Sequence, residues 1–267
     1  MINQKTDPKH IPVVILAGGR GTRLMEETQT IPKPMVSIGG KPMLLHIMRY
    51  YSAYGFRKFV LCLGYKGHII KDYFLDIHKH TASLIVNGKT GEYKYHTETA
   101  QDWEIQLIET GEHSLTGTRL QKAGAHIDAP HFCLTYGDGL CDVDLGRELE
   151  FHLKHGKTGT VAAVHPPSRF GRLDIAEDGR VQSFREKETL THDFINGGYF
   201  IFKREFLDRL PASDNYSLES EPLARLAEDG KLCAYRHEGF WMCMDTMRDR
   251  ETLEKIYESG KAPWARA

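Results

Sequence analysis

Val13-Val14-Ile15-Leu16-Ala17-Gly18-Gly19-Arg20-Gly21-Thr22-Arg23-Leu24, followed by Pro32-Lys33-Pro34-Met35, decides how this chain is read. An apolar run this short, ending abruptly in glycines, predicts a buried strand that runs into a tight loop. Without a Cβ, the glycines let backbone N–H groups come close to an anion. Arg23 and Lys33 add positive charge at the same mouth. A plain tight turn and a cradle for a polyphosphate are both compatible with the glycines alone. The order G-G-R-G-T-R matches neither the dinucleotide fingerprint G-x-G-x-x-G nor the Walker A pattern.

Two later stretches place an aspartate at the end of an apolar segment. One is Thr135-Tyr136-Gly137-Asp138-Gly139, the other Phe240-Trp241-Met242-Cys243-Met244-Asp245-Thr246. The end of a strand is where open α/β sheets bind ligands. Asp138 also suits an ordinary Asp-Gly turn. Asp245 also suits the N-cap of the helix that follows. Taken as a pair, Asp138 and Asp245 fit Mg²⁺, which takes one or two carboxylates plus phosphate oxygens and water in a nucleotide site.

Strand and helix signals alternate through the first part of the chain. Residues 42–54 carry apolar positions at helical spacing, with Pro42 in the first turn and Gly55 as the stop. A strand is predicted at 59–63 and a helix at 67–75, the order of βαβ units and a largely parallel sheet. Residues 83–110 read as extended, hairpin-forming chain around Asn87-Gly88 and Thr90-Gly91. Helices follow at 118–125 and 144–155, the second capped by Asp144, and strands at 132–136 and 161–164. Beyond Arg169 come short strands at 173–175, 181–184 and 199–202, then helices at 218–227 and 246–258. The expected fold is α/β: a Rossmann-like, mostly parallel mixed sheet flanked by helices, with a smaller β-rich lobe. One domain covers residues 1–267, divided into an 11–165 part and a 166–267 part.

Bulk properties narrow the function classes. With 267 residues, 40% hydrophobic and 27% charged, the chain can bury a sizeable core. A net charge of −1 gives no field for nucleic acid or a membrane surface, so anion binding must be local. The five cysteines are scattered and odd in number, with no C-x-x-C pair, which points to a reducing compartment. The polar start and the lack of a long apolar run predict a cytoplasmic protein with no membrane partner.

The linked L-A-G-G-x-G-T-R-L and P-K-P-M motifs resemble the signature of the sugar-1-phosphate nucleotidyltransferases, and the likeness extends over nearly the whole chain. Within that family it is greatest to the branch that transfers cytidylyl groups. The stretches that carry it are Gly111-Glu112-His113-Ser114-Leu115-Thr116-Gly117-Thr118-Arg119, Phe170-Gly171-Arg172-Leu173-Asp174-Ile175 and the 240–246 run. The resemblance implies CTP and a sugar 1-phosphate, glucose 1-phosphate foremost, as substrates, Mg²⁺ as cofactor, and a homo-oligomer. It implies that Leu16, Ala17, Gly18, Gly19, Arg20, Gly21, Thr22, Arg23, Lys33, Ser114, Thr116, Arg119, Gly137 and Asp138 bind the nucleotide. Arg23, Lys33 and Asp138 would be catalytic, and Asp138 and Asp245 would hold the metal. Glu186, Lys187, Asn196, Gly198 and Trp241 would bind the sugar phosphate. Glu186-Lys187 by itself also reads as a solvated charge pair.

Two departures from the family pattern stand out. Glu188 replaces a proline after Glu186-Lys187, and Ile31 replaces a lysine before Pro32. Two rival functions remain: the same reaction on another substrate pair, or a non-catalytic subunit that senses nucleotide sugars. The second would be expected to lose the loop arginine, the lysine or the metal aspartate, all of which persist.

Overall fold

Seven strands form the central sheet of this computed structural model, which describes residues 6–96, 102–166, 171–185, 193–213 and 215–265. In chain order they are β1 (Pro12–Leu16), β2 (Lys58–Leu63), β3 (Glu104–Glu109), β4 (His131–Tyr136), β5 (Gly159–Val164), β6 (Ile195–Lys203) and β7 (Leu232–His237). Across the sheet the order is β7-β5-β6-β4-β1-β2-β3. β6 is antiparallel to both neighbours, and every other pairing is parallel.

The apolar run of β1 is buried at all five positions because both faces of the sheet are covered. Val13 and Ile15 point into one apolar cluster and Val14 and Leu16 into the other. Helices Met43–Ala53 and Leu145–His155 feed the first cluster; Thr116–Ala123 and Glu221–Glu228 feed the second. Cys62 and Cys133 lie in the core, as expected of small apolar residues.

Several expectations are corrected. Pro42 stands before its helix, pairing with Ser37 in a short ribbon, and the helix starts at Met43. The extended stretch divides: Ser83–Val86 and Tyr93–His96 make an exposed hairpin, whereas Glu104–Glu109 joins the parallel sheet beside β2. The strand around Tyr199 belongs to the main sheet, not to a separate lobe, because Phe200 and Phe202 complete the second apolar cluster. The hairpin Arg172–Ile175/Val181–Arg185 does stand apart, turning at Gly179 with φ 82°. The strand Leu232–His237 had no clear signal, since its residues alternate between half-buried and exposed at a sheet edge. The helix expected at 218–227 begins instead at Glu221, with Pro222 in its first turn.

One buried carboxyl makes a stability prediction. Glu148 is 1% exposed, and its Oε1 has no hydrogen-bond partner among the described residues. Burial pushes the carboxyl's pKa up to about 8. The folded chain therefore holds this proton more tightly than the unfolded chain does. Its stability falls as pH rises from the ordinary carboxyl range through about 8 and levels off above. Glu148→Gln should remove that slope and raise stability by roughly a few kcal/mol above pH 8. Thermal melting in a pH series checks it; parallel curves for the two proteins would contradict it.

Candidate active site

The glycine-rich loop leaves the C-terminal end of β1 beside the end of β4, where open sheets place their ligand crevice. A cavity of about 320 Å³ opens there. It is lined by Leu16, Gly18 and Gly19 of the loop, by Lys33, by Ser114, Thr116 and Arg119, and by Tyr136, Gly137 and Asp138. Residues predicted to bind the nucleotide from three separate stretches thus share one cavity. Ala17 is fully buried beneath the loop. Gly21 takes a left-handed φ of 60° and leads into the short 3-10 turn Thr22–Leu24. Arg20 reaches across to the 111–119 segment, where it pairs with Glu112 at 2.7 Å.

Close packing fixes the parts of the site against each other. A Cβ on Gly137 would lie 2.9 Å from Pro34 and 3.0 Å from the Leu16 carbonyl. The P-K-P-M turn therefore sits directly on the G-D-G turn, which delivers Lys33 to Asp138. The distal aspartate arrives by a ribbon: Trp241–Cys243 pairs antiparallel with Gly139–Cys141, and the Met244 amide donates to the Asp138 carbonyl. Asp245 is not the helix cap that local sequence permits. Thr246 caps helix Met247–Glu258 in a capping box with Asp249, which leaves the Asp245 carboxylate to face the site.

The result is a compact charge cluster. Lys33 Nζ lies 2.6 Å from Asp138 Oδ2 and 2.7 Å from Asp245 Oδ1. Arg23 Nη1 approaches Asp245 Oδ2 at 3.3 Å. Burial works against the Lys33 ammonium, but the two carboxylates more than offset it and hold its pKa above the ordinary value. Burial likewise works against the Asp245 carboxylate, but Lys33, followed by Arg23, holds it below the usual range.

Asp138 and Asp245 present hard oxygen donors drawn to one cationic centre, and Lys33 stands there as that cation. The neighbouring Cys243 thiol is pushed up to about 12 by burial and by Asp245 and Asp138, so it offers no thiolate. No group of three or more metal-ligating side chains occurs among the described residues. This donor set suits a divalent ion that completes its shell with substrate phosphates rather than a protein cage.

Arg119 lines the cavity and also ties the site together from within the core. It is 4% exposed and donates to the carbonyls of Gly18, Leu63 and Glu112 and to the Thr110 hydroxyl. It braces the glycine loop from behind. A Cβ on Gly18 would lie 2.1 Å from the Arg119 guanidinium, whereas one on Gly19 meets nothing within 4 Å. Gly18→Ala should cost about 1–3 kcal/mol of stability through this overpacking, while Gly19→Ala should leave melting unchanged. Equal melting shifts in the two variants would contradict the brace.

Asn196, Gly198 and Trp241 gather beside Tyr136. Asn196 Nδ2 donates to the Tyr136 hydroxyl, and its Oδ1 accepts from the Gly198 amide. Gly198 has φ 77° and packs on the Tyr136 ring, and Trp241 Nε1 donates to the Gly197 carbonyl at 2.7 Å. Glu186 and Lys187 lie outside the described residues. Glu219 was missed from the sequence. It accepts from the hydroxyls of Thr116, Tyr136 and nearby Ser217, and only the tertiary fold brings the first two to it.

With this fold and site, the chain belongs to the nucleotidyl transferase family, whose sequence model matches residues 12–249. The glucose-1-phosphate cytidylyltransferase of Salmonella typhi is 45% identical over 252 residues, 94% of this chain and 97% of that one. HddC from Yersinia pseudotuberculosis superposes with a TM-score of 0.66 at 27% identity, covering 92% of this chain and 99% of that one. It has also been solved complexed with GMP-PN. A UDP-glucose pyrophosphorylase complexed with UDP-glucose shares the fold, with a TM-score of 0.67 at 16% identity over 94% of this chain and 99% of that one. No helix among the described residues is long and apolar enough to cross a membrane.

Proposed function

We propose that this protein transfers the cytidylyl group of CTP to glucose 1-phosphate, giving CDP-glucose and pyrophosphate. The observation that carries the reading is the convergence of the glycine loop, Lys33, Asp138 and Asp245 on one cavity mouth. The 45% identity to the Salmonella enzyme supports the choice of substrates.

A phosphate oxygen of glucose 1-phosphate attacks the α-phosphorus of CTP, the bond from α-phosphorus to the bridging oxygen breaks, and pyrophosphate leaves with that oxygen. The attacking phosphate is already largely dianionic at neutral pH, since its second pKa is near about 6. No general base is needed, and the site supplies alignment and charge neutralisation. Lys33 and Arg23 balance the charge of the triphosphate and the departing pyrophosphate. Gly18, Gly19, Gly21 and Thr22 offer amides and a hydroxyl to the phosphates. Asp138 and Asp245 would hold Mg²⁺, which supplies Lewis-acid polarisation and further neutralisation of phosphate charge.

Asn196, Gly198 and Trp241, with Glu186 and Lys187, form the sugar-phosphate side in this reading. Residues 11–165 thus serve mainly the nucleotide and 166–267 mainly the sugar phosphate. We place the chemistry in the cytoplasm, in keeping with five free thiols. A homo-oligomer completes the reading, supported by Leu84, Ile85 and Tyr93, which stand exposed on their hairpin. A panel of nucleotides and sugar phosphates, scored by pyrophosphate release with and without Mg²⁺, tests the assignment. CTP with glucose 1-phosphate should give the highest kcat/KM, and chelation should stop turnover; a different best pair would refute it.

A further inference from the structure

Three histidines that the reaction does not use meet at the end of the sheet opposite the cavity. His152 and His155 stand in the last turn of helix Leu145–His155, and His131 begins β4. His131 Nδ1 lies 3.1 Å from His152 Nε2. The Thr160 hydroxyl of β5 lies 2.8 Å from both His152 Nδ1 and His155 Nε2. The Lys157 amide closes the row by donating to His155 Nδ1 at 2.9 Å. His152 and Thr160 are fully buried.

These contacts fix the direction of every proton. A backbone amide can only donate, so His155 Nδ1 is an acceptor, and the ring proton sits on Nε2, facing Thr160. The Thr160 hydroxyl accepts that bond and has one proton of its own. Among the described residues the remaining partner for it is His152 Nδ1. His152 therefore carries its proton on Nε2 and donates to His131 Nδ1, which leaves His131 protonated on Nε2 as well. All three rings are neutral and share one tautomer, and every acceptor nitrogen is filled. A further proton can enter only by breaking a bond of the chain.

The surroundings also disfavour charge. Burial, followed by His131, His155 and Lys203, pushes His152 down to about 3. Burial and Lys203 lower His131, and the same two with Lys157 lower His155. Glu205 accepts from the Thr158 hydroxyl at 2.7 Å, and burial holds Glu148, one turn earlier on the helix, in its protonated form. Glu150 and Lys154 of the same helix are exposed. β7 adds Cys233, in register with Thr160, and Tyr235, whose ring meets Phe151.

We propose that His131, Thr160, His152 and His155 form an acid-sensitive latch, which clasps the last turn of the helix to the sheet while all three imidazoles are neutral and releases it when one of them takes a proton. The open form frees the rings to bind protons that the closed form refuses. Acid therefore favours opening, from about pH 6.5 downward, where a free imidazole charges. Stability of the clasp is full above that value and is lost as pH falls.

The first test reads the full wild-type chain by ¹⁵N NMR at neutral pH, where long-range couplings distinguish the two tautomers. His131, His152 and His155 should each carry the proton on Nε2. A proton on Nδ1, or a charged ring, at any of the three overturns the proposal. The second test is amide hydrogen exchange, corrected for the intrinsic effect of pH, at about pH 7.5 and about pH 5. The His152 and His155 amides should lose about tenfold or more of their protection relative to the Leu149 amide of the same helix, since each proton bound only by the open form favours opening about tenfold per pH unit. His152→Phe removes the titrating ring at similar size, so the three amides should then respond to acid alike. Equal losses at the three amides in the wild type, or an extra loss that His152→Phe leaves undiminished, overturns the proposal. Should that variant fail to fold, the two wild-type readouts still decide.

Discussion

Lys33→Ala should lower turnover by about 10²- to 10³-fold, the usual loss when a preorganised charge partner of the transition state is removed. The lysine touches both aspartates and lines the cavity. Its loss has two consequences. The phosphates lose a fixed cation where their charge develops, and the two carboxylates are left facing each other with only Arg23, 3.3 Å from Asp245, beside them. Like charges at short range favour protonation, so one of the pair should bind a proton at higher pH than in the wild type. Turnover of the variant should therefore fall further at the acidic end of its pH profile. Lys33→Arg should not restore the rate, because a planar guanidinium cannot replace a point-like ammonium between two carboxylates. Turnover near the wild-type value in Lys33→Ala would refute the role.

Asp138→Asn should abolish measurable turnover, a loss of about 10³-fold or more, since metal-assisted charge stabilisation amounts to several kcal/mol. The fold should survive. The structural tie at this position is the Asp138 carbonyl, which accepts from the Met244 amide and is untouched by the substitution. The carboxylate pairs with Lys33 in a partly buried site, but Asp245 remains paired with that lysine at 2.7 Å when Asn replaces Asp138. Turnover by pyrophosphate release and melting by circular dichroism separate the two effects. An active Asp138→Asn enzyme would remove the metal role; an unfolded one would move Asp138 from chemistry to architecture.

Local signals account for what the sequence made legible. The β1 run, the glycine loop and the G-D-G turn are written in consecutive residues, so strand, loop and strand tip could be placed without tertiary knowledge. The approach of Asp245 to Asp138 was legible as a chemical need and through the family resemblance, not from local structure. Its physical cause is the ribbon between Trp241–Cys243 and Gly139–Cys141, together with the capping of the last helix by Thr246. The family resemblance implies Arg119 as a nucleotide contact, and Arg119 lines the cavity. Burial of its guanidinium against three carbonyls is a property of packing that spacing cannot show. Glu219 carried no motif, and its role depends on hydroxyls from two distant segments. The edge strand Leu232–His237 was missed because its half-exposed residues lack a clean apolar alternation.

The central claim is that one cavity brings a nucleoside triphosphate and a sugar phosphate together and neutralises both. Mass analysis of the products formed from CTP, glucose 1-phosphate and Mg²⁺ tests it most directly. CDP-glucose and pyrophosphate in equal amounts is the predicted result. CTP left intact, or cleaved with no sugar attached, would contradict it.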